Sequence, residues 1–279
     1  MGRRSLCARL LLKRKCSVVP HLAARLKDYH RFGGMTARVQ LDNWLNEEHD
    51  QLPVIGIHGI SGIGKTSLLK GVYNDYKKGN LFQAVICITV SKRYNIMDLQ
   101  SVIAHTINVR LESNSDVARS SDAGMQRRTK LSASLKEMKF LLILDDLQSP
   151  FRLQEEVGIP TENKKGSKVV ISARRIDAIQ TMEAINPIQM QRVSMDEGWH
   201  LFARVAFEEG SSPRESREGV AREIARECEG MPLAINVVTT AMSCNASVIE
   251  WNLALLQMKS LDPISLPTLT LMNWLCISN

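Results

Sequence analysis

A glycine-rich run between an apolar segment and a helical one limits the folds open to this chain. Residues 59–66, GISGIGKT, fit the pattern G-x-x-x-x-G-K-[ST] and follow the apolar run at residues 54–58. Glycines let the backbone curl so that consecutive N–H groups point at phosphate oxygens with no side chain between them. The helix expected from Lys65 onward adds the positive end of its dipole. We therefore predict a phosphate-binding loop, in preference to a glycine-rich turn with an incidental lysine.

The parts of this loop have separate predicted roles. Lys65 is expected to reach the β- and γ-phosphates as a point charge, and the Thr66 hydroxyl is expected to ligate magnesium. The predicted ligand is ADP or ATP with Mg²⁺. The loop residues assigned to nucleotide binding are Gly59, Ser61, Gly62, Ile63, Gly64, Lys65, Thr66 and Ser67.

Short runs of valine, isoleucine and leucine alternate with helical segments after residue 53. The predicted strands are residues 54–58, 84–90, 140–144 and 168–172. Helices are expected at residues 65–77, 97–111 and 130–138, and a loop rich in serine, aspartate and arginine at residues 111–128. Continuous apolar strands that alternate with helices indicate a parallel sheet covered on both faces. The predicted fold class is α/β, a P-loop NTPase three-layer parallel sheet followed by a small all-helical subdomain.

The strand pattern stops near Pro187, and only helical periodicity follows. Helices are expected at residues 196–207, 214–229, 233–242 and 248–258. The predicted organisation is a basic N-terminal tail or remnant at 1–40, a nucleotide-binding domain at 41–187, a helical subdomain at 188–260 and an unassigned segment at 261–279.

Two carboxylates, Asp145 and Asp146, follow the apolar run at residues 141–144. Ligands of open α/β sheets bind at the carboxyl ends of the strands, so this pair is expected near the phosphate loop. Asp145 is predicted to hold magnesium directly or through water. Asp146 is the candidate catalytic residue, because it could orient or deprotonate an attacking water. Without the phosphate loop, a turn with a helix cap would be the better interpretation of the pair.

The net charge of +7 comes from one end of the chain. Residues 1–27 hold eight of the 36 basic side chains and no acidic one, which leaves 28 basic and 29 acidic side chains in the remainder. A basic nucleic-acid-binding face is therefore not expected on the folded part. The tail itself fits an organelle targeting peptide, a solvated leader or the remnant of a longer domain.

The six cysteines are scattered, so neither a zinc site nor a disulfide framework is predicted. No uncharged apolar run reaches 18 residues, so no transmembrane segment is expected. We therefore expect a cytoplasmic or nuclear location. Targeting to an organelle, with the basic tail as the targeting peptide, is the less favoured alternative.

The order of these blocks resembles the NB-ARC nucleotide-binding module of plant NB-LRR disease-resistance proteins, from about Leu41 to Met258. The phosphate loop is similar to that of the family, which often has a third glycine where this chain has Ser61. Further similar blocks are residues 82–91 (FQAVICITVS), 141–146 (LLILDD), 166–174 (GSKVVISAR), 199–202 (WHLF) and 230–234 (GMPLA).

The resemblance implies roles for two later residues. Arg174 corresponds to the arginine that senses the γ-phosphate, and a guanidinium at this sheet edge could bind a terminal phosphate bidentately. Pro232 corresponds to a proline that packs on adenine; before a helix, a proline is also structurally ordinary. The implied function is an ADP/ATP-binding molecular switch of plant innate immunity, with other protein chains as partners through self-association or binding of full-length relatives.

Two other functions stay open on the sequence. One is a P-loop ATPase of another class, and the resemblance implies at most slow ATP hydrolysis. The other is a truncated, non-switching adaptor that binds full-length relatives, since the winged-helix subdomain, the Met-His-Asp motif and the leucine-rich repeats of the family are missing from the sequence. We expect a fragment or a truncated member of the family on these grounds.

Overall fold

The computed structural model describes residues 35–49, 51–90, 95–111, 121–162, 165–207, 215–243 and 247–260. These residues divide into two compact units, one ending at Gln191 and the other beginning at Arg192. The expectations for residues 1–34 and 261–279 lie outside the described ranges. No described helix has both the length and the apolar character needed to cross a membrane.

The first unit is a parallel sheet with helices around it. Its elements, in chain order, are α1 (Met35–Asn46), β1 (Val54–His58), α2 (Lys65–Lys78), β2 (Ala84–Thr89), α3 (Ile96–Thr106), α4 (Ser121–Lys136), β3 (Phe140–Leu147), a π-helical turn (Leu153–Val157), β4 (Lys168–Ala173), α5 (Ile176–Thr181) and β5 (Ile185–Gln189). The strand order is β2-β3-β4-β1-β5, and every pairing is parallel. The predicted fold class is confirmed.

Strand β4 lies between β1, which precedes the phosphate loop, and β3, which contains Asp145 and Asp146. Since all strands run the same way, the carboxyl ends of β3, β4 and β1 meet at one edge of the sheet. The register pairs His58 at the end of β1 with Ala173 at the end of β4. All three strands are almost wholly buried, as expected from their continuous apolar sequences. This edge therefore collects the residues that follow three different apolar runs.

The fifth strand, β5, was not predicted. Of its five residues only Ile188 is buried, so the segment lacks the continuous apolar run that marked the other strands. Pro187 lies within it, which an edge strand tolerates because one side of its backbone needs no partner. The limit that we predicted for the nucleotide-binding domain, residue 187, consequently lies inside β5 rather than after the sheet.

Two helices also differ from the sequence expectation. Residues 121–128, which we expected in a loop, form the first half of α4. This half is held by contacts that composition does not show: the Arg127 guanidinium donates to the side chains of Gln100 and Ser101 on α3, at 3.1 and 2.8 Å. Residues 35–40, which we assigned to the tail, begin α1, and Arg38 of this helix forms an ion pair with Asp75 of α2 at 2.9 Å.

The second unit contains four helices in the described residues, α6 (Met195–Ala206), α7 (Glu215–Glu227), α8 (Pro232–Ser243) and α9 (Val248–Lys259). Trp251 is wholly buried at its centre and stacks on Phe207, with 5.7 Å between ring centroids. Gly230, in the turn before α8, has φ of 64°, and a Cβ there would lie 2.2 Å from the carbonyl oxygen of Val193. Glycine at this turn is therefore a steric requirement.

Candidate phosphate-binding site

The loop after β1 has the backbone shape that its glycines permit. Gly62 and Gly64 have φ of 80° and 104°, values that side chains with a Cβ rarely adopt. Ile63, which lies between them in the sequence, is buried. Helix α2 begins at Lys65, directly after Gly64. The loop thus ends at a helix N-terminus, where unpaired N–H groups favour an anion.

The Lys65 ammonium group lies inside the curl of this loop. Its Nζ donates to the carbonyl oxygens of Gly59, at 2.6 Å, and Ile60, at 3.0 Å, and only 8% of the residue is exposed. Burial lowers the pKa of Lys65, while the Asp146 and Asp145 carboxylates favour its charged form. A positive charge at the loop, held by two exchangeable carbonyl contacts, is suited to receive a phosphate.

Thr66 and Asp145 are brought together although 79 residues separate them. The Thr66 hydroxyl donates to Oδ2 of Asp145 at 2.8 Å. Mg²⁺ takes oxygen ligands and is usually bound by one or two protein groups plus phosphate oxygens. A threonine hydroxyl facing a carboxylate beside a phosphate loop fits that requirement. The described residues contain no cluster of three or more His, Cys, Asp or Glu side chains suited to a metal.

Ser172 is a residue of this site to which the sequence analysis gave no role. It is wholly buried near the end of β4, and its hydroxyl donates to Oδ1 of Asp145 at 2.6 Å. The Ser172 hydroxyl oxygen also accepts a hydrogen bond from the backbone N–H of Asp146, at 2.9 Å. A signal was present in the sequence, because a serine within the apolar run KVVISA must find a buried hydrogen-bond partner.

Asp146 and Arg174 face each other at the same edge. Arg174 Nε lies 3.6 Å from Asp146 Oδ1, with 57% and 36% of the two side chains exposed. Asp146 has φ of 57°, a left-handed conformation that is uncommon for a non-glycine residue. An exposed ion pair at this distance contributes about 0–1 kcal/mol, so its partners can be exchanged at little cost.

The other predicted site residues lie outside the group formed by Lys65, Thr66, Asp145, Asp146 and Arg174. Ser61 is exposed at the tip of the loop, and Ser67 is half-buried in the first turn of α2. Pro232 is the first residue of α8 and belongs to the second unit, so its predicted contact with adenine stays a prediction. His58, which we had not singled out, ends β1 beside the loop; burial, and then the positive charge of Lys65, lower the pKa of its imidazole.

Comparison with known proteins decides the family. The family model described as the NB-ARC domain matches residues 35–212. The chain belongs to the NB-ARC domain family. The family predicted from the motif order is thereby confirmed, and nucleotide binding is supported.

Several similar proteins are disease resistance proteins from Arabidopsis thaliana. Probable disease resistance protein At5g43740 is 30% identical over 214 residues, which cover 76% of this chain and 24% of the relative. Probable disease resistance protein At1g51480 is 30% identical over 252 residues, 88% of this chain and 29% of the relative. Disease resistance protein RPS5 is 30% identical over 210 residues, 75% of this chain and 23% of the relative. The chain spans about a quarter of the length of these relatives.

Solved structures share the fold at lower sequence identity. Cdc6p from Pyrobaculum aerophilum matches with a TM-score of 0.53 and 17% identity, over 85% of this chain and 66% of that protein. A chain of Drosophila ORC bound to DNA matches with a TM-score of 0.52 and 18% identity, over 81% of this chain and 60% of that one. At these identities the likeness supports the fold alone.

Proposed function

We propose that this chain is the nucleotide-binding module of a plant disease-resistance protein, and that ADP and ATP hold it in different states. The observation that carries the proposal is the meeting of Lys65, Thr66, Asp145 and Arg174 at one sheet edge of an NB-ARC chain. The names of the relatives, disease resistance proteins, support the biological setting.

The loop and Lys65 bind the phosphates in this proposal. Backbone N–H groups of the loop and the N-terminus of α2 receive the phosphate oxygens, and Lys65 exchanges its contacts with the carbonyls of Gly59 and Ile60 for phosphate contacts. Thr66 and Asp145 hold Mg²⁺, which neutralises part of the phosphate charge. Pro232 is proposed to pack on the adenine ring.

Arg174 supplies the difference between the two nucleotides. Without a terminal phosphate its guanidinium pairs with Asp146 in a half-exposed contact of low energy. A γ-phosphate offers it charge-assisted hydrogen bonds, each worth about 1.5–3 kcal/mol. A ligand shifts a conformational equilibrium only by its differential affinity for the two states, and Arg174 is placed to provide that difference.

Asp146 is the residue we assign to slow hydrolysis. Its carboxylate lies one residue from the proposed magnesium ligand and pairs with Arg174, the proposed γ-phosphate contact, and this supports the assignment. Orienting a water there would return the ATP state to the ADP state. We further propose that the module works in the cytoplasm or nucleus and contacts other protein chains, among them full-length relatives.

The test compares ATP and ADP affinities by calorimetry in the presence of Mg²⁺. Arg174→Ala should weaken ATP binding about 10- to 150-fold, which corresponds to one charge-assisted hydrogen bond, and leave ADP affinity within about twofold. Arg175→Ala is the matched control, because Arg175 is adjacent, 81% exposed and paired with Asp177. Equal losses for both nucleotides, or no loss for either, would refute the sensor role.

A further inference from the structure

We propose that Ser172 is a positioning residue for the magnesium-binding carboxylate, and that it lowers the Mg²⁺ concentration needed to raise nucleotide affinity. The inference rests on the proposed function, since it assigns Asp145 to the metal. Ser172 is not itself expected to touch nucleotide or metal. It acts through Asp145.

The two carboxylate oxygens of Asp145 are held by different partners. Oδ2 accepts from the Thr66 hydroxyl at 2.8 Å, and Oδ1 accepts from the Ser172 hydroxyl at 2.6 Å. An ion bound between Thr66 and Asp145 would replace their direct hydrogen bond. The contact with Ser172 is on the other oxygen, so it can persist in both the metal-free and the metal-bound site and keep the carboxylate turned toward the loop.

The Ser172 hydroxyl acts in this site as both a donor and an acceptor. It donates to Asp145 and accepts the backbone N–H of Asp146 at 2.9 Å, which links the proposed metal ligand to the residue that pairs with Arg174. Ser172 has 0% exposure and Asp145 4%, so water cannot easily take the place of a missing hydroxyl. Hydrogen-bond partners of metal ligands commonly change metal affinity by about 10- to 100-fold when removed.

The experiment measures ADP affinity of the full chain across a Mg²⁺ titration and again in EDTA. For Ser172→Ala, the Mg²⁺ concentration that gives half of the affinity gain should rise about 10- to 100-fold, while affinity in EDTA stays within about twofold. Ser172→Thr should return the half-gain Mg²⁺ concentration close to the wild-type value, because threonine keeps the hydroxyl. If the alanine variant does not fold, the comparison of Ser172→Thr with Ser172→Val, which have the same shape, isolates the hydroxyl.

A second buried serine provides the matched control. Ser167 precedes the other end of β4; its hydroxyl accepts from Phe140 N at 2.9 Å and donates to Met138 O at 3.1 Å. Ser167→Ala therefore removes a similar pair of hydrogen bonds away from the phosphate loop. It should lower thermal stability without changing the Mg²⁺ dependence.

The outcomes separate the two proposals. An unchanged Mg²⁺ dependence in Ser172→Ala, an equal loss of affinity with and without Mg²⁺, or the same behaviour in Ser167→Ala would overturn the role of Ser172. A wild-type chain that binds ADP without regard to Mg²⁺ would overturn it as well, with nucleotide binding intact. A folded wild-type chain that binds no nucleotide would instead remove the proposed function.

Discussion

Replacement of Lys65 by alanine tests the charge at the centre of the phosphate loop. The ammonium group donates to two carbonyl oxygens, at 2.6 and 3.0 Å. On binding it would exchange these for contacts with phosphate oxygens, and hydrogen bonds between charged groups contribute about 1.5–3 kcal/mol each. Allowing for the carbonyl contacts that are given up, we expect a loss of about 2–4 kcal/mol. ADP and ATP should then bind about 30- to 700-fold more weakly.

The same substitution should have little effect on folding. Burial already lowers the pKa of Lys65, so removing the ammonium relieves a desolvation cost while it breaks the two loop contacts. Ile60 is exposed, and water can replace the lysine at its carbonyl. We expect the free energy of unfolding, measured by urea denaturation, to change by no more than about 1 kcal/mol.

The assay is isothermal calorimetry with ADP and with ATP, in Mg²⁺, on variants whose folding has been checked. Lys70→Ala is the matched control, because it removes the same charge from an exposed position on the same helix. Its nucleotide affinity should stay within about twofold of wild type. The reasoning fails if folded Lys65→Ala loses less than about threefold in affinity, or if Lys70→Ala loses as much as Lys65→Ala.

Three further predictions concern the stability of the two units, measured as the free energy of unfolding by urea denaturation. Gly56→Ala should destabilise the sheet by about 1–3 kcal/mol, because the new Cβ would lie 2.0 Å from Ile179 Cγ2. Gly124→Ala is the control and should not destabilise it, because no atom lies within 4 Å of the new Cβ. Equal effects of the two substitutions would contradict this reasoning. Trp251→Ala should cost about 3–5 kcal/mol, because the ring is wholly buried in the helical unit; a loss below about 1 kcal/mol would show that this core is loosely packed. Burial lowers the pKa of Lys168 to about 8, below the 10.5 expected for an unfolded chain. Between these two values the unfolded state binds more protons than the folded state. The contribution of Lys168 to stability should therefore rise as the pH is raised from 8 to 10. The difference in unfolding free energy between wild type and Lys168→Met should change by about 1–3 kcal/mol over that range, and a constant difference would refute the shift.

The strands that could be predicted were those with continuous apolar sequences. The runs that became β1, β3 and β4 are almost wholly buried, and β2, although it lies at a sheet edge, still has a nearly continuous apolar sequence, so composition carried the signal for all four. The strand β5 could not be found in this way, because it has only one buried residue and contains a proline. The start of α4 was also missed, since polar contacts of Arg127 with α3 hold it there.

The sequence alone determined the phosphate loop and the family. Residues 59–66 are consecutive, so their glycines and lysine specify a local backbone shape without reference to the rest of the chain. Tertiary structure decided how the carboxylate is held. Thr66, Asp145 and Ser172 lie in three separate elements, α2, β3 and β4, at separations of 79 and 27 residues along the chain, and they meet because β4 lies beside both β3 and β1. Such a contact depends on strand order and register, and no short stretch of sequence contains either.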